Sequence, residues 1–143
     1  MRLVTTLLRA LTGRPVALGE RLLDRYPELR DAHWREGGLP PRVGGWFLAR
    51  RTVAGITLGR TVWLAPRITP HPALLLHELC HVRQFGRGRT FPLRYAWESI
   101  RRGYSQNRFE AEADAFARRV LAERPATAPS NVTEPVATPS EGP

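Results

Sequence analysis

One segment restricts this chain more than any other: LLLHELCHVRQF, residues 74–85, in which two histidines and a glutamate stand among leucines. On a helical wheel Leu75, Leu79 and Val82 gather on one side, while Leu74 and Phe85 fall on the side of His77 and His81. A helix apolar on both sides is predicted to be buried. Its polar side chains must then be paired or metal-bound, because burying an unpartnered polar group costs roughly 2–7 kcal/mol. His77 and His81 are four positions apart, about 40° around the axis, so both imidazoles can reach one ion. Glu78, about 100° from His77, projects beside that ion, a placement that suits a general base acting on a metal-activated water. Cys80 lies about 60° from His77 on the side away from His81 and is expected to be a buried thiol.

A catalytic zinc site usually takes three protein ligands and a water, so two histidines leave one ligand to find. No histidine follows His81; His33 lies near a Gly and Pro break, and His71 is wedged between prolines. The remaining donors are the carboxylates of NRFEAEADAFARRVLAE, residues 107–123. Phe109, Ala113, Phe116, Ala117 and Val120 form an apolar stripe with Glu110 and Asp114 along its margin, whereas Glu112 and Arg119 are predicted to point to solvent. Glu110 is therefore the best-placed third metal ligand. Asp114, one turn on, can accept the outer N–H of a ligating histidine and fix its tautomer. Glu112 could replace Glu110 if the helix were rotated, and Glu98 is a further alternative.

The rest of the chain predicts an α+β fold. Leucines at helical spacing suggest short helices over residues 2–11 and 16–25, broken by Gly13 and Pro15. VGGWFLARRTVAGITLGRTVWLAP, residues 43–66, is rich in strand-forming residues with glycines as turn or bulge points, and predicts two or three antiparallel strands. Trp63 and Trp97 are expected in the core. Pro72 suits the first turn of a helix running to Phe85. Further helices are expected from Pro92 to Arg102, stopped by Gly103, and from Asn107 to Glu123. The domain organisation follows: an N-terminal helical segment over 1–36, joined compactly to a domain over 37–123. Residues 124–143 form a tail of Pro, Ala, Thr and Ser too polar to bury a core.

The formal net charge of +9 comes from 22 basic residues, all arginine. Such a balance attracts nucleic acid, acidic proteins or an anionic membrane surface at low salt. The arginines are scattered, with no block longer than two, and a solvated surface is expected. A single cysteine forms no internal disulfide, which suits a reducing, cytoplasmic setting. No apolar run approaches the about 18 to 20 residues that span a bilayer, so no transmembrane segment is expected.

H-E-x-x-H followed by E-x-x-x-D resembles the gluzincin class of zinc metallopeptidases. FEAEADAFA is similar to the second motif of the membrane-bound CAAX prenyl endopeptidases and their bacterial heat-shock relatives, and HELCHVRQF resembles small bacterial metallopeptidase-like domains. The resemblance covers about Thr61 to Arg119. It implies a minimal zincin-like fold: a small antiparallel sheet, a buried zinc-site helix and a C-terminal helix supplying the third ligand. It implies one zinc ion on His77, His81 and Glu110, Glu78 as general base, Asp114 behind a histidine, and hydrolysis of a peptide or protein substrate. A further donor to the reaction's oxyanion is then expected, and Tyr104, in the loop before Glu110, is the candidate. The strand Thr61 to Leu64 is the candidate for pairing with an extended substrate. The alternative is a zinc-containing, non-catalytic binding module whose arginine-rich surface takes nucleic acid or a protein partner.

Overall fold

Pro72 and Asn107 set where the two longest helices begin. Pro72 occupies the first turn of its helix, where a missing N–H costs nothing, and the His71 side chain caps that end by accepting from the Leu74 amide at 3.3 Å. Asn107 caps the second, accepting from the Phe109 amide at 2.9 Å. A computed structural model describes residues 12–38 and 54–124. The helix expected over 2–11, the start of the strand region and the C-terminal tail beyond Arg124 lie outside the described residues.

In chain order the described residues form β1 (Arg14–Pro15), α1 (Glu20–Arg25), a 3-10 turn (Pro27–Asp31), β2 (His33–Glu36), β3 (Gly55–Leu58) and β4 (Thr61–Leu64). There follow α2 (Pro72–Gly86), α3 (Phe91–Arg102), a second 3-10 turn (Tyr104–Gln106) and α4 (Arg108–Glu123). Gly103 ends α3 with φ +75°, a backbone conformation that L side chains rarely adopt. The α+β expectation and the three later helices are met.

The sheet corrects three expectations. Its strand order is β1-β2-β4-β3, and β2 runs parallel to β4, with His33 opposite Thr61 and Glu36 opposite Leu64. It is thus mixed, not purely antiparallel; β1–β2 and β3–β4 are the antiparallel pairs. Residues 1–36, read as helical, contribute two strands, because β2 finds its partner far along the chain through a crossover that leaves no hairpin signal. The expectation that Thr61–Leu64 could take an added strand also fails: β4 is already paired on both sides, to β2 and β3.

Val62 and Leu64 of β4 and Trp34 of β2 turn one face of the sheet toward α2, where Leu75, Leu76 and Leu79 are completely buried. Each such leucine contributes about 1.5–3 kcal/mol of transfer free energy, which anchors α2 at the centre of the core. Tyr26 and Leu29 close one side and Ala117 and Val120 of α4 another. Ala113 and Ala117 are small enough to let α4 lie close to α2. Trp63 is only partly buried, its Nε1 donating to the Thr12 carbonyl at 2.9 Å, and Trp97 is 59% exposed, so neither is the core residue expected. Among the described residues no helix is long and apolar enough to cross a membrane.

Candidate metal centre

The seam between α2 and α4 gathers the polar residues singled out above. His77 Nε2 lies 3.3 Å from Glu110 Oε2, His81 Nε2 lies 3.2 Å from Glu110 Oε1, and the two Nε2 atoms are 3.2 Å apart. These three residues form the one group of histidine, cysteine and carboxylate side chains among the described residues that could hold a metal ion. His81 and Glu110 are buried and His77 is nearly so.

Hydrogen bonds behind the rings settle which nitrogens face one another. His77 Nδ1 lies 2.9 Å from Asp114 Oδ1; an ionised carboxylate only accepts, so Nδ1 donates and, in the neutral ring, Nε2 keeps its lone pair. Gln84 does the same for His81. Its amide nitrogen donates to the Phe109 carbonyl and to Glu112 Oε2, both at 3.0 Å, so its oxygen accepts from His81 Nδ1 at 2.8 Å. Two imidazole lone pairs and a carboxylate therefore converge on one point. Three acceptors at such separations repel unless a cation or a proton lies among them.

The ionisation tendencies express the same geometry. Burial opposes charging of His77 and His81, yet their bonds to Glu110 and the nearby Glu78 carboxylate prevail, so both are held above the usual imidazole range. Burial would likewise raise Glu110, but hydrogen bonds from His77 and His81, made when their Nε2 atoms carry protons in place of a metal, and from Tyr95 hold it far below the usual carboxylate range. Tyr95 donates its hydroxyl to Glu110 Oε1 at 2.6 Å. Cys80 faces away as a buried thiol, pushed up to about 11 by burial and by Glu112.

Glu78 is 5% exposed and does not join the three-atom cluster. Thr57 of β3 donates to Glu78 Oε2 at 2.7 Å, and Gly55 leaves the room its carboxylate needs: a Cβ there would stand 2.6 Å from Oε1. The sheet thus fixes the carboxylate that α2 presents.

Every expected site residue whose side chain is described converges here: His77, Glu78, His81, Glu110 and Asp114. Asp114 does so from a half-exposed position, its side chain 56% accessible. The side chain of Tyr104 lies outside the described residues; its backbone opens the second 3-10 turn. Neither upstream histidine competes, since His71 caps α2 and His33 opens β2. Glu112 needs correcting: it does not simply face solvent but takes bonds from Gln84 and from Arg87 at 2.6 Å. Gln84, Tyr95, Thr57 and Gly55 were missed. For Gln84 a signal existed, because it stands three positions after His81 on the same helix.

No protein-family model matches this chain, and no curated protein or solved structure matches it.

Proposed function

We propose that the chain is a zinc-dependent metallopeptidase of minimal gluzincin type, with His77, His81 and Glu110 as ligands of one ion and Glu78 as general base. The observation that carries this reading is the convergence of three lone-pair donors at 3.2–3.3 Å from one another. Donors about 2.0–2.1 Å from a tetrahedral zinc lie about 3.3 Å apart, and two imidazoles with one carboxylate are a donor set found at catalytic zinc. Bound there, zinc would acidify a water and polarise a carbonyl.

The chain's own residues account for the rest. Glu78 is kept out of the ligand set by Thr57, whose hydroxyl occupies one carboxylate oxygen, so the other is free to accept a proton from water and return it to the departing amine. Asp114 and Gln84 hold both imidazoles with Nε2 forward. Tyr95 holds Glu110 in its rotamer. Among the described residues β3 is the outer strand on the side of Glu78, and its free edge replaces β4 as the candidate to pair with an extended peptide.

The test separates metal from chemistry. Purified protein is expected to carry one zinc and to cleave an unfolded protein substrate; Glu78→Gln should retain the zinc and lose activity by about 10²–10⁴-fold or more. Glu110→Ala should lose the zinc. Full activity in Glu78→Gln overturns the base, and a zinc-loaded wild type with no hydrolysis of any peptide leaves the non-catalytic binding module as the better reading.

A further inference from the structure

The outer side of α3 exposes Leu93, Trp97 and Ile100 by 74%, 59% and 72%. Their spacing puts all three within about 60° of arc, so they form one continuous stripe. Apolar residues scattered singly over a surface need no account, but three adjoining ones on one helix do. We propose that this stripe docks the protein on an anionic lipid surface.

Charge selects that partner. Arg94 and Arg101 stand along one margin of the stripe, and the Arg101 guanidinium lies 5.8 Å from the centre of the Trp97 ring. The only acid of α3, Glu98, is buried beyond the arginine margin, about 100–160° around the helix from the three apolar residues, facing Arg102 at 3.3 Å and Arg108 at 3.7 Å. The outward surface of α3 therefore offers positive charge alone, in a chain of net charge +9. Apolar side chains flanked by arginines, with a tryptophan among them, are the composition of a helix that lies in the headgroup region of a membrane. The indole suits that boundary, and arginine can lay its aliphatic stem along lipid while the guanidinium stays at the phosphates.

Other occupants fit less well. Three apolar side chains on one helix are few beside the about 20–30 residues a side of a stable protein complex. A nucleic-acid backbone would engage the arginines but would gain nothing from Leu93 and Ile100. The stripe is also placed so that docking leaves the metal centre alone. Tyr95, which bonds Glu110, projects about 160° away from Leu93 around α3.

The full chain should co-sediment with phosphatidylcholine vesicles containing about one-third phosphatidylserine, at about 0.1 M salt, and not with phosphatidylcholine alone. Trp emission should shift to the blue on binding. Replacing all three residues, Leu93→Ser, Trp97→Ser and Ile100→Ser, should weaken binding by about tenfold or more, with an unchanged circular dichroism melt. Arg94→Gln with Arg101→Gln should weaken it and flatten its salt dependence. Equal binding by the triple-serine variant overturns the proposal. So does failure to bind anionic vesicles, whether the stripe then mediates self-association in sedimentation velocity or the arginines bind duplex DNA.

Discussion

The α2–α4 seam and the outer side of α3 break the ordinary rule of burial in opposite directions. In the seam, charged and polar side chains lie inside the molecule, and each has been given partners: Asp114 for His77, Gln84 for His81, Tyr95 for Glu110, Thr57 for Glu78. On α3, three large apolar side chains lie outside, and nothing among the described residues covers them. The first inversion is resolved within the chain except at the point where three lone pairs meet. The second is not resolved among the described residues. In the readings proposed above each is completed from outside, by a cation in the seam and by an apolar surface with negative charge at α3.

The comparison predicts that the two regions differ sharply in what substitution costs. Gln84→Leu should show the largest effect. Gln84 is fully buried and serves three partners, so a leucine leaves the His81 Nδ1 donor without a bond in a dry interior and takes the side-chain bond from the Phe109 carbonyl. A loss of about 2–5 kcal/mol in urea unfolding is expected. Zinc affinity, measured by competition with a chelator, should fall about 10–100-fold because His81 is no longer held with Nε2 forward. Gln84→Glu, which keeps an acceptor for His81, should recover part of the affinity but not the bond to Phe109. An unchanged affinity in Gln84→Leu would mean that the seam's polar atoms are not coupled.

Much of the seam was legible in the sequence, because its information is local. The i, i+4 pair of histidines, the glutamate beside them and the i, i+4 pair Glu110 and Asp114 each sit on one helix, where a wheel assigns faces without knowledge of the fold. Pro72, Gly103 and Asn107 mark helix ends for equally local reasons. What was not legible is pairing across distance. HWRE at 33–36 is a short strand because it lies between Arg14–Pro15 and, in parallel, TVWL at 61–64. Tyr95 and Glu110 meet because Asn107 ties the two helices, its amide donating to the Tyr95 carbonyl and the Ser99 hydroxyl. The exposure of Trp97 follows from the same limit: a wheel groups it with Leu93 and Ile100 but does not say whether that side faces protein or solvent.

Gly55 offers a smaller test of how tightly the seam is built. It was read as a turn or bulge point, yet its role is to leave space for the Glu78 carboxylate. Gly55→Ala puts a methyl group 2.6 Å from Glu78 Oε1, so either β3 or the glutamate must move. The expected cost is about 1–3 kcal/mol in stability. If Glu78 moves, peptide cleavage should fall through kcat, with metal content unchanged, because His77, His81 and Glu110 are not displaced. Metal loss in this variant would mean that β3 supports the ligands as well as the base.

The smallest effect is expected on α3, and its smallness is informative. Leu93→Ser, Trp97→Ser and Ile100→Ser, each made alone and measured without lipid, should shift stability by no more than about 0.5 kcal/mol. A side chain that is 59–74% exposed loses little packing when truncated. A core tryptophan would behave differently: truncation of one typically costs about 3–5 kcal/mol, so the melt of Trp97→Ser also decides between the core position expected from the sequence and the exposed one. A loss of that size would mean that the stripe is covered within the folded chain. Near-neutrality leaves three apolar side chains that contribute almost nothing to folding, and their worth must then be sought in binding.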